Sequence, residues 1–358
     1  GKCVYEIDAG KKCVIYEEGK EYYDKLIIAL GNRPIVPKVD GFNLKGVFTF
    51  KTMKDAESIA AYKSNTVVVV GAGPIGVEMC IALKRQGLDV YLIEKEGWIL
   101  PRILEEKLAN RVAKEVKSKG VVVSTGEEIV KILGKDKVKA ILLKGNKIID
   151  CDMVIFAMGM KPKTDIARNA DLNLGNLGGI ITDEKMMTSI PDIYACGDCI
   201  ESKDTLTNKN ALNALWPNAV IGGKVAGLNA IGISRKYSPP VNLNCIQIND
   251  VTAISLGYSD CSLRGLNGKD VIEGSTSKGE YRIILFNGNL VGMQIVAKNN
   301  NLILLFNSIY TQKKLSMVKR AFRHDEFTMR NPLYSLLLTT RNFHLMKKIK
   351  NGYWGESK

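Results

Sequence analysis

Three glycines and one glutamate have the types and spacing needed to hold a dinucleotide. The segment GAGPIG supplies Gly71, Gly73, Pro74, Ile75 and Gly76. It follows the apolar run 66–70 and opens a helical pattern, and Glu94 ends the next apolar run. In such a fingerprint the first glycine allows a tight turn, the second lets a pyrophosphate approach the backbone, and the third lets helix and strand pack closely. The sequence therefore predicts a dinucleotide site in which Glu94 binds the adenosine ribose. The alternative is a glycine-rich turn in an ordinary α/β domain.

Two of the eight cysteines form the only CxxC spacing in the chain. Cys196 and Cys199 enclose Gly197 and Asp198. A redox-active dithiol needs a stabilised thiolate, and a carboxylate between the sulfurs disfavours one. We therefore predict two small side chains packed beside a strand end rather than a redox centre. The spacings also lack the repeated close pairs of zinc or iron–sulfur sites, so no metal is expected.

The elements that position these residues follow from the periodicity of the apolar residues. Residues 65–95 read as strand, turn, helix and strand, and 102–119 read as a helix, followed by short strands up to 157. Short strand-like pieces fill the first 30 residues. A helix is expected over about 213–231, a linker at 238–240, an antiparallel sheet over 244–296 and a helical region from 302.

Composition limits the class of protein. The chain has 358 residues, 46% hydrophobic and 25% charged, which fits two or three folded domains and excludes a disordered or fibrous protein. Its longest uncharged stretches are too short to span a bilayer, and no signal peptide opens the sequence. Because the cysteines then lie in a reducing compartment, we expect a soluble, cytoplasmic protein without membrane contact.

The formal net charge of +14 is concentrated near the end of the chain, since residues 301–358 supply more than half of it. Such a field suits nucleic acid, acidic proteins or phosphorylated molecules, but a solvated lysine-rich surface also explains it. No nucleic-acid recognition motif accompanies the charge, so a nucleic-acid partner is not favoured. His324 and His344 lie in this segment and are expected to be surface or interface histidines rather than catalytic bases.

Four segments together resemble the FAD-dependent pyridine nucleotide-disulfide oxidoreductase superfamily. They are LIIALGNRP, VVVVGAGPIGVE, VIFAMGMKP and TSIPDIYACGD. The match covers about residues 1–235 and is similar in particular to the NADH oxidase, coenzyme A-disulfide reductase and rubredoxin reductase branch. The resemblance implies an α/β protein with two interleaved Rossmann-like domains, a C-terminal α+β interface domain that forms a homodimer, and FAD and NADH as cofactors.

The resemblance also assigns two short elements to cofactor binding. Ala29 and Gly31, which enclose Leu30, match the first Ala-Thr-Gly element of the family. Gly159, which follows Met158, ends the second. In both elements an apolar residue replaces the threonine, so a hydrogen bond from its hydroxyl is not expected.

Four further residues carry implied roles. Glu78 matches the family's glutamate near the nicotinamide and is the candidate catalytic residue. Gly197 and Asp198 match the Gly-Asp pair that binds the ribityl or phosphate region of FAD. A carboxylate beside a flexible glycine after a short buried strand can reach a polyol chain, which supports this role for Asp198 independently. Trp216 opens a segment that resembles the helix beneath the flavin, where it packs either near the flavin or in the core.

The sequence departs from the family pattern at its start. The family's leading GxGxxG motif for FAD, and the active-site cysteine that follows it in many members, do not occur here. We therefore expect either that a leading segment is missing from this sequence or that another chain supplies that half of the FAD site. The resemblance is also weak after about residue 325.

The predicted division of the chain has four parts. Residues 1–61 form a partial FAD-binding domain, 62–150 the NAD-binding domain, 151–237 the remainder of the FAD-binding domain, and 238–358 an interface domain with a basic tail. The implied activity is hydride transfer from NADH to FAD and electron transfer to dioxygen, a coenzyme A disulfide or persulfide, or a rubredoxin-like protein. The alternative is a non-catalytic nucleotide-binding subunit that assembles with a chain supplying the missing FAD half.

Overall fold

The computed structural model describes residues 1–204, 206–207, 209–238, 242–260, 262–276 and 279–298. The predicted helical region from 302, the basic segment, His324, His344 and part of the predicted linker lie outside these residues. Within the described part of the chain, no helix is both long enough and apolar enough to cross a membrane.

A five-stranded parallel sheet carries the glycine motif. Val67 and Val69 face one core and Val68 and Val70 face another, so the strand before the motif is covered on both sides. β-Branched residues suit such a doubly covered strand. The strand order is Val47–Thr49, Met153–Phe156, Thr66–Val70, Asp89–Glu94 and Val122–Thr125.

Two strands of this sheet lie outside the range 62–150 predicted for the NAD-binding domain. Val47–Thr49 forms one edge, and Met153–Phe156 lies between that edge and Thr66–Val70. All four side chains of Met153–Phe156 are buried, which fits a central position. Apolar periodicity identifies such a strand but not its neighbours, so the sequence did not indicate this pairing.

Helices cover one face of the parallel sheet and a second sheet covers the other. The helices are Met53–Ala61, Pro74–Arg85 and Glu106–Ser118. The second, antiparallel sheet contains Ile129–Gly134, Val138–Leu143 and Ile148–Asp150. The helix predicted from residue 102 begins at Glu106, because turns occupy the preceding residues.

A separate core lies beneath residues 29–31 and 197–198. It includes Ile28, Ile193, Cys199 and Val225. Leu26–Ile28 pairs in parallel with Ile193–Ala195. The other strands of this region are Val4–Asp8, Cys13–Tyr16, Gly19–Tyr22, Ile180–Ile181, Ile200–Lys203 and Asn210–Ala211, and its helices are Asp165–Asn169, the 3-10 turn Gly197–Cys199 and Trp216–Ala230.

A two-stranded ribbon joins this core to the parallel sheet. Asn32–Pro34 carries the chain away from residues 29–31, and Met160–Pro162 brings it back antiparallel. Gly31 and Gly159 immediately precede the two strands and adopt positive φ values of 68° and 99°. Glycine is needed there because other residues are strained in this region of φ.

The C-terminal part forms the expected antiparallel sheet. Its order is Leu243–Ile248, Val251–Gly257, Asn289–Lys298, Gly279–Phe286 and Lys269–Thr276. Ile246 and Val296 belong to the same buried cluster as Val77 and Val112 of the helices on the parallel sheet. The C-terminal sheet therefore shares a core with the unit that carries the glycine motif.

Candidate functional site

The glycine motif forms a tight turn at the carboxyl end of its strand. Gly71 has a φ of 103°, and its amide donates to the carbonyl oxygen of Ile93 at 2.8 Å. A Cβ on Gly71 would lie 2.6 Å from the carbonyl oxygen of Ala157, and a Cβ on Gly76 would lie 1.9 Å from that of Gly71. Both positions therefore admit only glycine without backbone movement.

The second glycine has a different environment. Gly73 is the N-cap of the helix Pro74–Arg85, and no side chain caps that helix. A Cβ on Gly73 would meet nothing within 4 Å. Amide groups of the first turn of a helix have no partner inside the helix, so this open approach can accept an anion. Pro74 occupies the first helical position, which proline suits because its missing amide hydrogen would have no partner there. The next residue, Ile75, is 39% exposed.

Glu94 is buried against the glycine turn. Its Oε2 accepts from the amide of Ala72 at 2.7 Å, and its Oε1 accepts from the amide of Glu96 at 2.9 Å. Each carboxylate oxygen has a second lone pair, so ribose hydroxyls can still donate to Glu94. Lys95, the cation next to Glu94 in the sequence, is paired with Glu128 at 2.8 Å.

Glu78 lies on the helix that begins at the glycine turn. Desolvation raises the pKa of its carboxyl group. The pKa of the Cys245 thiol is raised, first by desolvation and second by the negative charge of Glu78. The side chains of Glu78 and Cys245 are therefore neighbours. Cys245 belongs to the first strand of the C-terminal sheet, which therefore borders the candidate catalytic residue.

Asp198 lies in a polar network that the sequence did not reveal. The Nδ2 of Asn32 donates to Oδ2 of Asp198 at 2.9 Å. The ammonium group of Lys51 binds both the side-chain oxygen and the carbonyl oxygen of Asn32. Burial, and secondarily the positive charge of Lys163, lower the pKa of Lys51. These groups offer a carboxylate and an ammonium to a polyol or phosphate, the chemistry that the predicted flavin contact requires.

The two predicted Ala-x-Gly elements lie at opposite ends of the ribbon. Gly31 precedes Asn32, and a Cβ on Gly31 would approach Nζ of Lys51 to 3.9 Å. Ala29 is exposed just before it. Gly159 is exposed after Met158, whose side chain is 40% exposed. The first element therefore lies beside the Asp198 network and the second beside the glycine turn.

The helix Trp216–Ala230 packs on the turn that carries Asp198. A Cβ on Gly197 would lie 3.7 Å from Cβ of Ala219, and Gly197 has a φ of 77°. Trp216 opens the helix and is 71% exposed, so the expectation that it packs in the core is wrong. Its predicted contact with the flavin stays a prediction.

The CxxC cysteines lie below this turn rather than at its surface. Cys196 is 5% and Cys199 0% exposed. Burial raises the pKa of Cys196 to about 11 and also raises that of Cys199. The thiol of Cys199 donates to the carbonyl oxygen of Cys196 at 3.2 Å. Thiols in such surroundings are poor nucleophiles, which supports the structural role predicted for them.

The fold and its glycine turn define a Rossmann-like α/β protein. A family model described as pyridine nucleotide-disulphide oxidoreductase matches residues 1–223, and the chain belongs to this family. The predicted superfamily and fold class are confirmed. At the level of the family, the predicted cofactors, NADH and FAD, are also confirmed.

Three known proteins illustrate the similarity. The chain is 40% identical to an NADH oxidase of Methanocaldococcus jannaschii over 247 residues, 67% of this chain and 54% of that protein. It is 35% identical to a CoA-dependent NAD(P)H sulfur oxidoreductase of Pyrococcus abyssi over 263 residues, 72% and 58% of the two chains. It resembles the crystal structure of an FAD-dependent pyridine nucleotide-disulphide oxidoreductase from Desulfovibrio vulgaris with a TM-score of 0.78 at 28% identity, covering 86% and 81%. The chain thus spans little more than half the length of the two sequence relatives.

Proposed function

We propose that this chain belongs to a flavoprotein that oxidises NADH and passes the electrons to an acceptor. The observation that carries the proposal is the adjacency of the two candidate sites. The glycine turn packs directly on Ala157, where a Cβ on Gly71 would lie 2.6 Å from the carbonyl oxygen. Three residues later, at Met160, the chain enters the ribbon that leads to Asn32 and Asp198.

Each site has a distinct task in this proposal. The glycine turn holds the pyrophosphate of NADH, and Glu94 binds its adenosine ribose. Glu78 lies on the same helix and borders the nicotinamide. Asp198 and Lys51 hold the polar chain of FAD, while the amino end of the helix from Trp216 stabilises negative charge on the ring. FAD, when bound, supplies the chemistry that accepts hydride and releases electrons.

The direct test is reduction of the flavin by NADH. The full natural protein should be yellow, and NADH should bleach the flavin absorbance under anaerobic conditions in a single turnover. A colourless protein that still binds NADH would instead support the alternative, a non-catalytic nucleotide-binding subunit.

Acceptors can be compared in the same preparation. Dioxygen, coenzyme A disulfide or persulfide, and a rubredoxin-like protein should be offered to the reduced protein one at a time. The natural acceptor should reoxidise the flavin fastest, and its rate should match steady-state NADH consumption.

We further propose the four-part division predicted from the sequence, with the NAD-binding unit extended by the strands Val47–Thr49 and Met153–Phe156. In this proposal the C-terminal part from residue 238 forms a homodimer interface in the cytoplasm. The apolar antiparallel sheet supports the dimer. Sedimentation should give twice the monomer mass, and a monomer whose mass does not change with concentration would contradict it.

A further inference from the structure

The side chain of Asn32 joins an acid and a base from distant parts of the chain. It is only 7% exposed. Its amide nitrogen donates to Asp198 at 2.9 Å, and its side-chain oxygen accepts from the ammonium group of Lys51. Position 32 thus connects the start of the ribbon, Lys51 two residues before the helix Met53–Ala61, and the turn that carries Asp198.

The chemistry of the three groups fixes the orientation of the amide. An ionised carboxylate only accepts hydrogen bonds and an ammonium only donates them, so the nitrogen of Asn32 must face Asp198 and its oxygen must face Lys51. An aspartate side chain has the same shape but cannot donate to a carboxylate when ionised. An alanine makes neither bond. Asparagine is therefore matched to both neighbours at once.

The charged groups around the network act on Lys51 in opposite directions. Lys163 lies close enough for its positive charge to lower the pKa of Lys51, and its backbone amide donates to the carbonyl oxygen of Gly31 at 2.9 Å. The charge of Asp198 acts on Lys51 in the opposite direction. Because Asn32 binds both partners, it determines how the carboxylate and the ammonium are presented to a ligand.

We propose that Asn32 is a positioning residue that presents Asp198 and Lys51 together to the polar chain of FAD. This inference rests on the proposed function. Asn32 promotes FAD binding in two ways. It holds Asp198 and Lys51 in a fixed direction, and its own side chain carries no charge.

The decisive variant is Asn32→Asp, and Asn32→Ala is compared with it. The matched control is Asn110→Asp, which adds the same charge at an exposed position of the helix Glu106–Ser118. Each variant is made in the full natural protein. Binding of FAD to the apoprotein is titrated by flavin fluorescence between pH 5 and pH 8.5, and thermal unfolding of the apoprotein is recorded over the same range.

We expect a pH signature specific to Asn32→Asp. Two carboxyl groups at hydrogen-bond distance share a proton, so the introduced group stays protonated at low pH and donates to Asp198 as the amide does. As pH rises the pair ionises and repels, and FAD affinity should fall by about tenfold or more. Asn32→Ala should bind FAD weakly at every pH, and Asn110→Asp should behave as the unaltered protein.

Unfolding of the apoprotein provides a readout that does not depend on FAD. Burial and the Asp198 carboxylate raise the pKa of the introduced carboxyl group in the folded state, while the Lys51 ammonium lowers it. We expect the first two effects to prevail, because burial also disfavours the ammonium form of Lys51, so the protonated carboxyl is favoured in the folded state. The melting temperature of Asn32→Asp should therefore approach that of the unaltered protein at low pH and fall below it as pH rises. Asn110→Asp should show no such trend.

The outcomes separate this inference from the proposed function. If Asn32→Asp changes unfolding but binds FAD as the unaltered protein does at every pH, Asn32 is only structural and the inference is overturned while the function stands. If Asp198→Ala also leaves FAD affinity unchanged, the flavin site itself is misplaced, and the inference and that assignment fall together. A parallel loss of FAD affinity in Asn32→Asp and Asp198→Ala at high pH supports both.

Discussion

The glycine turn and the Asp198 network are both candidate cofactor sites, but the chain builds them in opposite ways. The first site lies within one strand–helix–strand unit, which contains Gly71, Gly76 and Glu94, and its shape is set mainly by the backbone. The second site gathers Asn32, Lys51 and Asp198 from three distant segments through side-chain hydrogen bonds. The first site therefore depends on the local path of the backbone, and the second on the packing of the whole fold.

This difference determines which substitutions each site tolerates. At Gly71 and Gly76 a single added methyl group meets backbone atoms that cannot move separately. In the Asp198 network a side chain can be removed without a clash, so binding should be lost while the fold persists. Substitutions at the two sites should therefore differ in outcome, and those at the glycine turn should change stability most.

Two alanine substitutions should separate folding from binding at the glycine turn. Gly76→Ala places a Cβ 1.9 Å from the carbonyl oxygen of Gly71, and overpacking of this kind should lower the free energy of unfolding by about 3 kcal/mol or more. Gly73→Ala meets nothing within 4 Å, so its stability should change by only about 0.5 kcal/mol while NADH affinity falls. Urea unfolding and NADH fluorescence titration measure both effects. Equal destabilisation by the two variants would contradict the assignment.

Asp198 and the CxxC cysteines should respond in opposite ways. Asp198→Ala should reduce FAD affinity by about tenfold or more, because a hydrogen bond to a charged group contributes on the order of 2 kcal/mol. The double variant Cys196→Ser and Cys199→Ser should retain electron transfer from NADH to a dye within about twofold, since both thiols are buried and their pKa values are raised.

FAD content after gel filtration and the rate of dye reduction distinguish the two effects. Loss of hydride transfer in the double serine variant with FAD fully bound would show that the sulfurs carry electrons.

The choice of nicotinamide cofactor should depend on Glu94. A carboxylate at the ribose repels a 2′-phosphate, so kcat/KM for NADH should exceed that for NADPH by about tenfold or more. Glu94→Gln should narrow this NADH-to-NADPH ratio and raise KM for NADH. The backbone amides of Ala72 and Glu96 donate to different oxygens of Glu94, and the NH2 group that replaces one of these oxygens in glutamine cannot accept. Lys95→Ala is the matched control. Because Lys95 is paired with Glu128, its removal should change the ratio by less than about twofold.

The smallest effect concerns the start of the strand that leads to the glycine turn. Asp152 accepts from the amides of Asn65 and Thr66 at 2.9 and 3.1 Å, and these bonds lower its pKa. A carboxylate with a lowered folded-state pKa stabilises the fold above its usual pKa, and this contribution disappears as pH falls through the lowered value. Asp152→Asn should therefore cost about 1 kcal/mol at pH 7 and progressively less in acid.

Unfolding titrations at pH 7 and pH 3 test this expectation. Asp150→Asn, at an exposed position nearby, should have no comparable effect at either pH.

The same contrast explains what the sequence could predict. The glycine turn was predictable because its residues are contiguous and lie between apolar runs. The position of Asp198 came from a family resemblance. Asn32 was within a recognised segment, yet its partners are 19 and 166 residues away in sequence, and no local pattern indicates such contacts. The only available signal was an amide side chain directly after the glycine that ends the uncharged run 26–31.

Other differences have equally local causes. A short strand ending near residue 157 was predicted, but the place of Met153–Phe156 inside the parallel sheet depends on pairing with Thr66–Val70. Trp216 has a side chain typical of a core, and its exposure follows from its position at the first turn of its helix. The sequence predicted a ribose contact for Glu94. The structure adds that Glu94 accepts hydrogen bonds from the amides of Ala72 and Glu96 and so stabilises the glycine turn.

The paired ribbon between the two sites has a mechanical consequence. Two strands joined by hydrogen bonds resist torsion more than a single connecting segment, because twisting one strand displaces its partner. Gly31 and Gly159, with φ values of 68° and 99°, place the most compliant backbone at opposite ends of this ribbon. We therefore expect the stiffness of the connection to depend on direction. The ribbon should bend easily across its width but resist rotation about its length. Thermal motion should then preserve the angular alignment of the two sites.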